Sequence, residues 1–186
     1  SDDLGRIGSF KQANCLGLSR RALSVYPVNK EQAGGGVLLD MGSHVIDLII
    51  WFFGKPDKIN YQDDSRGGLE ANCLVDLEIG ALKGKVELSR DRTLDNRFKI
   101  VGQKGKVQVK AGGLTDLLIQ KGNKQKIFKS QQTIDDCIFQ ELSEFIQAIK
   151  EDSHQFISGQ DVLSSIEIID HCYSHKKQLD EPWFQI

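Results

Sequence analysis

The chain has 186 residues, 39% of them apolar and 27% charged, and 24 Lys+Arg against 26 Asp+Glu leave a formal charge of −2. That balance argues against nucleic acid or an anionic membrane as the main partner, since both select a basic surface. The longest apolar run, 45–53, is interrupted by Asp47 and is too short to span a bilayer, and the acidic Ser1-Asp2-Asp3, with no apolar core after it, leads us to expect no signal peptide.

Four cysteines, Cys15, Cys73, Cys137 and Cys172, contain no C-x-x-C pair, which excludes a zinc ribbon or a thioredoxin-like motif. So few cysteines in a chain of this length predict free thiols and a reducing, cytoplasmic setting, with Cys73 and Cys172 buried among apolar neighbours. The only methionine is Met41. The chain therefore does not open on a start residue, and we expect a piece of a longer protein.

The elements follow in chain order. Gly5–Lys11 alternates weakly and predicts a first strand, and 20–33 is polar and irregular around Pro27. After Gly34-Gly35-Gly36 the apolar stretch 37–53 is too long for a strand and predicts a buried helix, which Gly54-Lys55-Pro56-Asp57 stops.

The period then falls to two. In 69–79, Ala71, Cys73, Val75, Leu77 and Ile79 share one face, with Leu74 as the exception on the other. In 81–89, Leu82, Val86 and Leu88 oppose Lys83, Lys85, Glu87 and Ser89, and Gly80 turns between the two strands. Short strands are also predicted at 58–61, 97–101, 106–110, 116–120 and 125–128, punctuated by glycines 102, 105, 112, 113 and 122.

The C-terminal third predicts two helices. One carries the stripe Ile138, Leu142, Phe145, Ile146 and Ile149 after the capping candidates Asp135 and Asp136. The other starts at a Ser158-x-x-Asp161 capping box and carries Val162, Ile166, Ile169 and Tyr173. His171 and His175 lie one turn apart near its end, beside lysines that suggest a solvated terminus, and His154 falls in a polar loop. One helix, a run of strands and two helices predict an α+β fold, with helices on one face of an open, predominantly antiparallel sheet.

Chemistry concentrates in the helix after the glycines. At about 100° per residue, Asp40, His44 and Asp47 fall within a stripe about 60° wide. On a helix apolar nearly all round, such a stripe requires partners or a polar cavity. An i, i+4 Asp40–His44 pair can share a hydrogen bond that fixes the imidazole tautomer and leaves the far nitrogen as general acid or base. Three other readings stand beside it: a purely structural hydrogen-bond network, a metal site from Asp40, His44 and Asp47, and a dinucleotide loop from Gly34-x-Gly36. Against the metal site, no further His or Cys cluster completes it. Against the dinucleotide loop, no strand precedes it and Leu39 stands where a third glycine belongs.

The pattern G-G-G-x-x-x-D-x-G-x-H-x-x-D at Gly34–Asp47 resembles the hallmark of the glucose-fructose oxidoreductase / inositol dehydrogenase / MocA (Gfo/Idh/MocA) family. Weaker matches occur in the right order: Leu4–Ile7, Ile100–Val107 as I-x-G-x-x-G-x-V, Ser158–Val162, and Asp180-Glu181-Pro182-Trp183. The resemblance implies that residues 1–186 form the C-terminal substrate domain of an oxidoreductase. The N-terminal Rossmann domain, which binds NAD or NADP, would then lie outside this chain, and the chain alone would be inactive. It implies catalytic roles for Asp40 and His44, with His44 exchanging the proton of a substrate hydroxyl and Asp40 orienting it, and a substrate-binding role for Asp47. Implied substrates are sugars, inositols or nucleotide sugars, and implied association is a homo-oligomer through the sheet. A non-catalytic binding or oligomerisation module on the same scaffold is the alternative. Arg90 and Arg92 flank a strand end, and Tyr26 and Lys30 precede the glycines; any of them could touch substrate or a partner.

Overall fold

The structure, a computed structural model, describes residues 9–13, 33–110, 116–153 and 157–179. Strand β1 (Ser9–Ala13) comes first, and Leu38–Gly42 forms a π-helical turn that runs directly into helix α1 (Ser43–Phe53). Seven strands follow: β2 (Lys58–Asp63), β3 (Asn72–Ile79), β4 (Leu82–Ser89), β5 (Arg97–Gly102), β6 (Gly105–Lys110), β7 (Leu117–Lys121) and β8 (Lys124–Phe128). Helices α2 (Ile134–Glu151) and α3 (Gly159–Ser174) and a short β9 (Lys177–Gln178) complete the described residues.

The strands form one sheet in the order β8-β7-β6-β5-β1-β4-β3-β2-β9. Six neighbouring pairs are antiparallel, while β1 runs parallel to β4 and β9 parallel to β2. This is the expected α+β architecture. Helices α1 and α3 pack on each other and over one face, α3 against β2 and the π-turn against β4. Alternation places Cys73, Val75 and Leu77 of β3 and Val86 and Leu88 of β4 in the core, facing Val45, Ile46 and Ile49 of α1 and Ile168, Ile169 and Cys172 of α3. The opposite face is charged, with Lys58 and Lys83 flanking Glu78 across three strands. Gly80, at φ +56°, makes the two-residue turn from Ile79 to Leu82.

Several expectations change. The helix predicted from Val37 is not α-helical at its start, because five residues adopt the wider π turn. It is also not buried all round: Leu48, Trp51 and Phe52 are exposed, since only one side of α1 meets the sheet and α3. The stripe on α2 is exposed, and Ala148 is that helix's buried residue; α1 and α3 already occupy the helix side of β2–β4. Its cap is Thr133, whose hydroxyl accepts from the Asp136 amide while the Asp136 carboxylate returns the bond, so Asp136 is the box partner rather than the cap. On α3 the buried face is Ser165, Ile168, Ile169 and Cys172, whereas Val162 and Ile166 point outward. The end of α3 is solvated as expected, with His171, Ser174, His175 and Lys177 exposed, and the chain then adds β9 to the sheet edge beside β2. The first strand begins at Ser9, with Gly5–Gly8 outside the described residues. Also outside them lie Cys15, Tyr26, Lys30, Gly112, Gly113, His154 and the matches at 4–7 and 180–183.

Cys73 and Cys172 are buried free thiols, as expected. Burial, with the charge of Glu70 beside it, pushes the Cys73 thiol well above its ordinary value, and burial raises Cys172 to about 12.

Candidate functional site

The triple glycine is shaped by a residue far away in sequence. A Cβ on Gly36 would lie 2.6 Å from the Glu70 carboxyl carbon and overlap its backbone carbonyl, and one on Gly35 would overlap the Tyr173 hydroxyl. Glycine is therefore required here for close approach. Gly34 also sits at φ +73°, a left-handed conformation.

Glu70 is 4% exposed and lies just before β3. Its carboxylate accepts from the Gly36 amide at 3.0 Å, from the Leu38 amide at 3.0 Å and from the Tyr173 hydroxyl at 2.8 Å. Its backbone carbonyl accepts from the Val37 amide at 3.0 Å. One side chain thus satisfies amides that a helix start leaves without partners, places negative charge at the positive end of the helix, and ties α3 to the same point. Burial first, then the neighbouring Glu70 charge, pushes the Tyr173 hydroxyl above its ordinary value.

Asp40 sits in the middle of the π-turn. Its side chain is 53% exposed, and its Oδ2 accepts from Arg90 Nη2 at 2.6 Å. Arg90 directly follows β4, and its amide donates to the Ala71 carbonyl, one residue from Glu70. A polar network holds this corner. Asp64 accepts from the amides of Ala71 and Asn72 at 2.9 and 3.0 Å; the Asn72 side chain donates to Asp64 and Asp91 and accepts from Arg92 Nε.

His44, the second residue of α1, is exposed, and no hydrogen bond joins it to Asp40. The π-turn explains the separation. A π turn spans more residues than an α turn, so the i, i+4 stacking assumed for Asp40 and His44 is offset. Asp47, one turn on, is half-buried and accepts from the Ser165 hydroxyl of α3 at 2.9 Å, linking the two helices. The stripe therefore divides: Asp40 faces Arg90, His44 faces outward and Asp47 faces α3.

No cluster of three or more His, Cys, Asp or Glu that could hold a metal occurs among the described residues. His171 and His175 stack with ring centroids 4.1 Å apart, and His175 Nδ1 meets the His171 carbonyl. The glycine turn does not fit a dinucleotide phosphate, because Glu70 already holds its amides and fills the space beside Gly36. A second buried polar group, Asp63, is matched by Lys176 at 2.9 Å and by the Ser65 amide at 2.8 Å.

Glu70 falls within the strand predicted over 69–79, and nothing in its alternation signals the role it takes here. The glycines were the available signal, since absent Cβ atoms ask what approaches so closely. Arg90 is legible in the sequence as flanking a strand end, and the fold supplies its pairing with Asp40.

Comparison with known proteins gives a family and a fold. The GFO/IDH/MocA C-terminal domain model matches residues 3–108. No curated protein sequence matches the chain. Among solved structures, the chain resembles the 3-ketoreductase KijD10 from Actinomadura kijaniata, seen with NADP and TDP-benzene, at 16% identity and a TM-score of 0.74, over 97% of this chain and 56% of that one. It also resembles an aldose-aldose oxidoreductase from Caulobacter crescentus complexed with glycerol, at 18% identity and a TM-score of 0.71, over 91% and 52%. A third likeness is the putative oxidoreductase yvaA from Bacillus subtilis, at 13% identity and a TM-score of 0.68, over 94% and 56%. The chain spans little more than half the length of these structures.

Proposed function

This chain belongs to the Gfo/Idh/MocA family, and from that premise we propose that it is the substrate-binding domain of an NAD(P)-dependent oxidoreductase. The single observation that carries the reading is the placement of the Gly34–Asp47 motif. It sets an exposed imidazole, His44, at the start of a helix whose first turn Glu70 and Arg90 anchor.

His44 takes the proton from a substrate hydroxyl in the oxidative direction and returns it to the nascent alkoxide in the reductive one. Asp40 acts as a positioning residue through its charge. Asp47, already bonded to Ser165, offers its second oxygen to a substrate hydroxyl. Sugars, inositols and nucleotide sugars fit this polar surface. When bound, the nicotinamide supplies the hydride carrier. Glu70 occupies the amides of the glycine turn, which supports our placing the cofactor on a domain outside this chain.

Calorimetric titration of this chain with NAD and NADP is expected to show no measurable binding, and a micromolar Kd for either would overturn the division between domains. Cytoplasmic location is consistent with the two buried free thiols.

The exposed apolar stripe of α2 favours a second reading, a binding or assembly module on the same scaffold. We also place self-association on the face of the sheet opposite α1 and α3, where rows such as Lys58–Glu78–Lys83 alternate in sign. Sedimentation velocity of this chain should then give a dimer or larger species that loosens with added salt. A monomer at every concentration would remove the proposal.

A further inference from the structure

The end of α3 carries a second pair of chemically capable groups, outside the glycine–helix motif. His171 in the last turn and His175 at the cap stand four residues apart on one ridge of the helix, and both are exposed. Their rings stack with centroids 4.1 Å apart and planes 25° from parallel. We propose that this pair is a two-histidine site for a divalent first-row metal ion of the zinc, nickel or copper type. The inference draws nothing from the acid–base role proposed for His44.

The ring nitrogens are already assigned by their surroundings. A carbonyl oxygen only accepts, so His175 Nδ1, 3.0 Å from the His171 carbonyl, carries the proton of the neutral ring. His175 Nε2 then keeps its lone pair. Imidazoles that ligate metals ordinarily take this form, one nitrogen donating to a carbonyl or carboxylate and the other binding the ion. A tetrahedral ion about 2.0–2.1 Å from two nitrogens holds them about 3.4 Å apart. Rings with centroids 4.1 Å apart meet that spacing by a small rotation of two exposed side chains.

The charge around the pair is favourable. A helix C-terminus presents carbonyls that attract a cation. The two lysines that follow are drawn elsewhere: Lys176 to Asp63 at 2.9 Å and the Ser65 carbonyl at 2.6 Å, Lys177 to the Asn60 side chain at 2.7 Å. Glu167 lies one turn before His171 on the same ridge, but its carboxylate is paired with Lys55 at 3.1 Å. Water therefore completes the coordination. Two imidazoles select zinc, nickel or copper over magnesium and calcium, which require oxygen ligands. An ion held there links the last turn of α3 to its cap, just before the chain enters β9 beside β2.

Calorimetric titration of this chain with zinc chloride tests the site, with magnesium chloride as the control ion. We expect one zinc site that magnesium does not fill. His171→Gln or His175→Gln should each weaken it by about 10-fold or more, because a chelate becomes a single ligand. His171→Gln combined with Ser174→His keeps the number of histidines but breaks the one-turn spacing, and should bind as weakly as His171→Gln alone. In NMR spectra of the unsubstituted chain, zinc should move the ring nitrogens of both His171 and His175 and leave those of His44 in place. Those spectra decide the question even where a variant does not fold. Zinc affinity kept in either single variant or in the spacing variant, or ring signals that stay unmoved at millimolar zinc, would overturn the site. Such a result leaves the role proposed for His44 untouched.

Discussion

Full-length protein carrying His44→Ala is expected to lose kcat by about 10²–10⁴-fold toward its polyol or sugar substrate, the range for a removed general acid–base group. The exposed imidazole carries no described hydrogen bond to the rest of the fold, so its removal should leave the thermal midpoint nearly unchanged. KM should move far less than kcat, because the lost interaction belongs to proton transfer in the transition state. A steady-state assay with NAD and NADP against a panel of sugars and inositols reads this directly. If the variant turned over like the parent, the site would be a retained scaffold and the assembly reading would take its place.

The second large effect concerns stability. Glu70→Ala removes the acceptor for two backbone amides and for the Tyr173 hydroxyl, all in a 4%-exposed setting. Each buried donor left without an acceptor costs about 1–3 kcal/mol, and water entering the vacated space recovers part of it. We expect a net loss of about 3–4 kcal/mol, seen as a lower urea midpoint at unchanged slope. Glu70→Gln keeps the shape and one acceptor oxygen but turns an NH₂ toward other donors, and should lose about half as much. A Glu70→Ala midpoint within about 0.5 kcal/mol of the parent would show that the helix start is held by something else.

Much of the fold was legible because burial imposes a period. Alternation in Cys73-x-Val75-x-Leu77 and Val86-x-Leu88 identified the covered face of the sheet, and Gly80 marked the turn between the strands. The Ser158–Asp161 box marked the start of α3, since both bonds of a capping box lie within four residues. Stripes on the C-terminal helices were read less well. Apolar spacing says that a helix has a face but not what meets it, so the α2 stripe stays exposed and the buried face of α3 includes Ser165 and Cys172.

At the site, the sequence by itself determined which groups are present. A glycine triplet, Asp40, His44 and Asp47 on one stretch of helix suffice to place the chain near its family, because that chemistry is written in residue types at short spacing. Tertiary structure alone decided what those groups touch. Glu70 reaches Gly36 across 34 residues, Arg90 reaches Asp40 across 50, and Ser165 reaches Asp47 across 118. A π-turn in place of an α-turn moved Asp40 off the register that spacing implied. The reason is physical: period and capping are local properties of the backbone, whereas the partner of a carboxylate is set by which distant strand end or helix the packed core brings beside it.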